Sequence, residues 1–195
     1  MASEEQLTLS TPHAPKQHAI DAFVHVEHEI KHAILQSRHD WDKHEPKMWA
    51  HASQTSDQDL VHFTMKVTPP SFRIPTLLLT FPCFSIRSAE TSYGPMIFGK
   101  IRIRAIKLDS AGELVPSEVK KDAHGKIEVE MKNGHIDDDK LGFIHVRIHD
   151  PPGEGIENVK FHSIFTDEGH DALGDNNGYY RAIQVNSKPL EFFNE

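Results

Sequence analysis

The chain reads as a mainly β (α+β) protein, with an N-terminal amphipathic helix packed on an antiparallel β-sandwich. Three observations predict this class. Over residues 16–39 apolar side chains recur at three- and four-residue steps. From residue 60 onward the period becomes two, in about eight short segments divided by turn residues. Residues 76–81 are apolar at both parities (Leu77, Leu78, Leu79, Phe81), the pattern of a strand covered on both faces. A chain of 195 residues favours a single domain whose core needs no disulfide.

In chain order, residues 1–15 are polar with two prolines and read as a flexible arm. The helix of residues 16–39 places Ala19, Phe23, Val26, Ile30, Ala33, Ile34 and Ser37 on one face, and Ile20, Val24 and Leu35 widen its apolar arc. Residues 40–58 have no period and read as a loop anchored by Trp41 and Trp49. The β-sandwich region, 59–195, opens with residues 60–68, where Val61, Phe63, Met65 and Val67 alternate with polar residues.

The most hydrophobic stretch, residues 72–93, follows as two strands joined at Pro82, which has no N–H for a ladder. Residues 96–108 form a long strand, with Ile97, Ile101 and Ile103 on one side and Lys100, Arg102 and Arg104 on the other. Ile106 and Leu108 then take the opposite phase, which predicts a bulge near Ala105. Residues 126–132 point Ile127, Val129 and Met131 inward, and residues 142–149 do the same with Ile144, Val146 and Ile148. Asp150-Pro151-Pro152-Gly153 turns the chain. Residues 158–166 and 179–185 supply two further strands, joined by a Gly/Asp/Asn-rich connection.

Composition narrows the function classes. The net charge of −8 argues against nucleic acid as the main partner. The polar, acidic N-terminus does not have the form of a signal peptide, and no apolar run approaches a membrane span, so a cytoplasmic location is expected. The single cysteine, Cys83, excludes an internal disulfide and a Cys-rich zinc site. Fifteen histidines give the chain a charge that responds strongly near neutral pH.

The apolar segment Ile74-Pro75-Thr76-Leu77-Leu78-Leu79-Thr80-Phe81-Pro82-Cys83-Phe84-Ser85-Ile86 resembles the hallmark of a bacterial domain-of-unknown-function family (family 2589). The turn Pro151-Pro152-Gly153-Glu154-Gly155 resembles a second feature of that family. The resemblance spans roughly residues 16–155 and implies an N-terminal helix followed by a β domain. It also implies a short helix after the Pro-Pro turn, where this chain has strand-like residues, and it supplies no catalytic residues.

Several constellations are candidates for chemistry. His18, His25, His32 and His39 recur every seven residues along the helix with His28 beside them, and His25, His28 and His32 have spacing suited to a divalent metal. The alternatives are a solvated face or a pH-responsive contact. Asp137-Asp138-Asp139 and the Asp167–Asp175 region offer oxygen ligands for calcium without an EF-hand pattern. Lys100, Arg102 and Arg104 form a basic row that Glu128 and Glu130 of a neighbouring strand are expected to pair with. Cys83, among Phe81, Pro82 and Phe84, reads as a buried, inert thiol. No nucleophile elbow, phosphate loop or dinucleotide fingerprint occurs. The leading expectation is a non-enzymatic structural or interaction protein that forms a homo-oligomer or joins a protein partner. Its expected contact is Ile20, Val24 and Leu35, and no resident cofactor is expected. The rivals are a module holding a small apolar ligand and a metal protein using the helix histidines.

Overall fold

The computed structural model describes residues 8–41, 44, 48–66, 82–109, 119–153, 155–169 and 179–193. The elements are α1 (Gln17–His25), α2 (Glu27–Trp41), α3 (Asp57–Leu60), β1 (Cys83–Thr91), β2 (Gly94–Lys107), β3 (Met131–Lys132), β4 (His135–Ile136), β5 (Leu141–His149), β6 (Lys160–Ile164), β7 (Asp167–Gly169) and β8 (Tyr179–Arg181). The class is mixed α+β. One antiparallel sheet runs in the order β1-β2-β5-β6, and two two-stranded ribbons, β3-β4 and β7-β8, stand apart from it.

The β2–β5 register sorts side chains onto two faces, because partners directly opposite in a ladder point the same way. Ile97 faces Ile148, Gly99 faces Val146, and Ile101 faces Ile144. These aliphatic residues belong to one buried cluster with Phe23, Val26, Ile30 and Ile34. Gly99 is what allows the close approach: a Cβ there would lie 2.2 Å from Cζ of Phe23. The phase change in β2 is real, since the pairing with β5 is irregular between Ile103 and Lys107. At the turn into β2, Gly94 has φ +113, and a Cβ would meet the carbonyl of Asp150 at 2.3 Å.

Several local expectations give way to tertiary structure. The helix expected at residues 16–39 is two, α1 and α2, meeting at Val26, whose backbone (φ −91, ψ 8) leaves the helical region. The break is slight, because Val26 N–H still bonds Ala22 O at 3.2 Å and Ile30 N–H bonds Val26 O at 3.0 Å. The arm expected at residues 1–15 is tied down over its described part. Ser10 N–H donates to Ser88 O at 2.8 Å, and His13 exchanges backbone bonds with Ile86 of the edge strand β1.

Over residues 60–66, the described part of the strand expected at residues 60–68, no strand forms. Ser56 caps α3 by accepting from Asp59 N–H at 3.1 Å, and residues 61–66 run on without a ladder. Leu60 and Met65 are nonetheless fully buried, and Met65 N–H bonds the Glu27 carboxylate at 2.7 Å. The apolar alternation there reflects burial against the helices and not strand pairing. Residues 67–81, including Leu78 and the doubly apolar stretch, lie outside the described residues.

The strand expected at residues 126–132 is also absent from the main sheet. Ile127 forms an isolated bridge to Lys121, and Met131–Lys132 pairs with β4 across an Asn133-Gly134 turn at φ 53 and 80, with Met131 pointing out to solvent. The strand expected at residues 179–185 splits: β8 pairs with β7, and Gln184 forms a separate bridge to Phe143. Residues 40–58, expected to be a loop, contain a 3-10 turn at Ala50–Ala52 and the start of α3, and Trp49 anchors them through its Nε1–H to Ser37 Oγ at 3.1 Å.

The Phe23–Gly99 contact sets a test of the core. Gly99→Ala is expected to lower unfolding free energy by about 1–3 kcal/mol, since the added methyl overlaps a rigid ring. Combining it with Phe23→Leu is expected to recover part of the loss. Urea unfolding followed by circular dichroism measures both, and strict additivity of the two changes would contradict the contact.

Candidate functional site

The second face of the sheet carries Phe98, Lys100 and Arg102 opposite Arg147, His145 and Phe143. Four of these six are ionisable or basic, yet all six are buried. The C-terminal residues 186–193 lie against Phe98, Lys100 and Arg147, and Asp138 meets Arg102. Lys100 Nζ donates to the carbonyls of Asn186 and, at 3.0 Å, of Lys188. Arg87 of β1 donates to Leu190 O at 2.8 Å and to Ser10 O at 2.7 Å. Arg147 donates to Phe193 O at 2.8 Å and to His162 Nδ1 at 2.7 Å. Apolar contacts complete the seat: the Phe98 ring lies 5.6 Å from that of Phe192 and 5.4 Å from that of Phe193.

The carboxylates expected opposite the basic row are elsewhere. Residues 126–132 do not neighbour β2, and Glu130 pairs with Lys140 at 3.0 Å. Arg102 instead holds Asp138 through two bonds of 2.5 and 2.9 Å, in the fork geometry that suits a guanidinium. Asp139 accepts from Asn186 Nδ2 at 2.8 Å, and Asp167 pairs with Lys188 at 2.8 Å. Asp138, Asp139 and Asp167, considered as calcium ligands, thus serve as ion-pair and hydrogen-bond partners, and Asp171 and Asp175 lie outside the described residues.

Burial sets the protonation states. It brings Lys100 down to about 8, with Asp138 opposing the shift. It brings His145 down to about 3, helped by the positive Lys100 and Lys188, so the imidazole is neutral. His145 stacks on Phe165 at 5.8 Å, and its Nε2 has no hydrogen-bond partner among the described residues. His162 is lowered by burial and then by Arg147 and His149, and the neutral ring offers Nδ1 as the acceptor that Arg147 uses. Burial pushes the Cys83 thiol up to about 12, which keeps it protonated and unreactive. Taken together, the face is a set of fixed donors and aromatic surfaces suited to holding the main chain of an extended peptide.

The residues singled out from sequence for metal binding and for assembly lie elsewhere, along the helices. His25, His28 and His32 are all exposed, with His25 closing α1 and His28 and His32 in α2. Among the described residues no three metal-ligating side chains come together. His18 is held by Asp150 at 2.5 Å and His39 by Asp57 at 2.7 Å. Ile20 and Val24 are half-buried against the main cluster, and Leu35 is half-buried further along the same flank. Between Val24 and Leu35 the flank is crossed by residues 61–66: Lys31 lies 5.0 Å over the Phe63 ring, and Glu27 receives Met65 N–H.

Sequence reasoning missed Arg87, His145, Arg147 and the C-terminal segment. The available signals were the polar parity of β5 and the Phe192-Phe193 pair, too apolar for a free tail. No protein-family model matches the chain, and neither a curated protein nor a solved structure matches it.

Two measurements follow from these protonation states. Unfolded chain takes up a proton on His145 near pH 6.5, whereas the folded protein refuses it until about pH 3. His145 therefore costs stability as pH falls through this window, at up to about 1.4 kcal/mol per unit. His145→Phe keeps the stacking and is expected to flatten that part of the acid limb in urea titrations at pH 7, 5.5 and 4.5; an unchanged slope would show that His145 is protonated when folded. Cys83 is expected to resist iodoacetamide in native protein and to react on unfolding, as mass spectrometry reads directly.

Proposed function

We propose that this is a non-enzymatic structural or interaction protein that assembles with copies of itself or with a protein partner. The observation that carries the reading is the helix flank of Ile20, Val24 and Leu35, which the fold leaves half-exposed on both sides of residues 61–66. An aliphatic side chain gains about 1.5–3 kcal/mol on passing from full exposure to full burial, and these half-buried residues retain roughly half of that for a partner to supply. The chemistry-bearing groups support the same reading: the thiol is buried and protonated, His145 is neutral and enclosed, and Lys100 is bonded to main-chain carbonyls.

The finer architecture belongs to this proposal. It is an antiparallel sandwich with the N-terminal helix docked on it, as in the domain-of-unknown-function family the sequence resembles. The cluster joining Phe23, Val26 and Ile30 to one sheet face supports it, as does the separate cluster of Ala89, Phe98, Leu190 and Phe193. The acidic balance of the chain favours a protein partner over nucleic acid. No helix among the described residues is long and apolar enough to cross a membrane. A cytoplasmic setting remains part of the proposal.

Paired substitutions test the contact. Val24→Glu with Leu35→Glu is expected to give a folded protein that no longer associates. Phe23→Glu with Ile30→Glu, at fully buried positions, is expected to abolish folding. Circular dichroism with sedimentation velocity separates the cases. A wild-type protein that stays monomeric at every concentration, or unchanged association in the first double variant, would reject the contact.

A further inference from the structure

We propose that His28 and His32 of α2 together bind one divalent transition-metal ion of the nitrogen-preferring kind (Ni2+, Cu2+ or Zn2+), with water in its remaining positions. The inference goes beyond the assembly reading and does not rest on it. Three observations support it.

First, the spacing meets the right backbone. Of the fifteen histidines, two pairs stand four residues apart, His28 with His32 and His145 with His149. The second pair lies on β5, where four residues span about 13 Å. The first lies within α2, where side chains four apart are neighbours, with Cβ atoms about 5–6 Å apart. Two imidazole nitrogens that share one ion, each about 2.0–2.1 Å from it, need to be about 3 Å apart, which such neighbours can reach.

Second, the scaffold is fixed and the rings are free. Ile30 and Ile34 are fully buried in the main cluster and hold the opposite side of α2. His28 and His32 are both exposed, and neither has a hydrogen-bond or ion-pair partner among the described residues. His18 and His39, by contrast, are taken by Asp150 and Asp57. The ammonium of Lys31, between the two histidines in sequence, is engaged by Glu27 at 2.7 Å and by the Phe63 ring at 5.0 Å.

Third, the fold separates this pair from the wider run of histidines. His25 closes α1, and Val26 leaves the helical region before α2 begins, so His25 does not continue the α2 row. The stretch His28-Glu29-Ile30-Lys31-His32 has the His-Glu-x-x-His order found on zinc-peptidase helices, which shows that this spacing suits a shared ion. Hydrolysis asks for more. A catalytic zinc has three protein ligands, and no third one joins the pair among the described residues. The Glu29 carboxylate, the base of that motif, accepts from Phe161 N–H at 3.3 Å. The site is therefore one of binding, with a readily exchanged ion, and the non-enzymatic reading stands beside it.

The test uses full-length protein without an affinity tag, titrated with NiCl2 by isothermal titration calorimetry. His28→Gln, His32→Gln, the double variant and His25→Gln are compared with wild type. All lie at exposed positions and are expected to keep the wild-type circular dichroism spectrum. Wild type and His25→Gln are expected to show one site tighter than the background of the other histidines. Because the helix presents the second imidazole at high effective concentration, either single change is expected to weaken that site about 100-fold or more, and the double variant to lose little beyond this. In 15N-labelled protein, Ni2+ added below one equivalent is expected to broaden the amide signals of residues 28–32 first. Wild-type binding no tighter than that of the double variant overturns the site, as does tight binding retained by either single variant. Loss of the tight site in His25→Gln overturns its restriction to two histidines.

Discussion

The two inner strands of the main sheet are hidden on both faces, and the rest of the molecule is arranged to meet that constraint. Every residue from 141 to 148 in β5 is buried, as are Ile97 through Ile103 in β2. A strand covered on one side needs one apolar row; a strand covered on both needs two rows that are each satisfied. Here the rows are satisfied by different physics. One is aliphatic and gains by leaving water, in a cluster shared with Phe23, Val26, Ile30 and Ile34. The other holds lysine, arginine and histidine, and tolerates burial because its cations are given oxygen atoms to bond.

The source of those oxygens explains why the termini matter. Lys100, Arg87 and Arg147 draw mainly on backbone carbonyls of residues 10 and 186–193, whereas Arg102 uses Asp138. A carbonyl is a weaker partner than a carboxylate, so burial pulls Lys100 below its usual range even though it is fully engaged. Removing one such donor leaves a buried carbonyl without its bond, a larger loss than the bond itself was worth. The terminal residues are therefore part of the core by hydrogen bonding before they are part of it by packing.

This division of labour also shapes what is left for a partner. Among the described residues, the strongly perturbed Cys83 and His145 are enclosed, and the histidines that recur along the helices stand in solvent or against Asp150 and Asp57. Among the described residues, what faces outward with apolar character includes the flank around Ile20, Val24 and Leu35 and the exposed Tyr93, Met131 and Tyr180.

The sequence by itself determined the elements whose pattern is set by one neighbour. The 3- and 4-residue steps of α1 and α2, the aliphatic parity of β2 and β5, the phase change before Lys107 and the Pro-Pro turn were all legible, because local periodicity reports directly which side is buried. Alternation at residues 61–66 misled, since packing Val61, Phe63 and Met65 against the main cluster selects the same residue types as strand pairing does. Only the tertiary structure decided that the basic parity of β2 lies inside. Lysine and arginine in alternation read as solvent-facing unless an acceptor is known to arrive, and the acceptors arrive from 36 positions away for Arg102 and from 86 and 88 positions away for Lys100. Backbone carbonyls are the same at every residue, so no side-chain pattern announces which of them a buried cation will find.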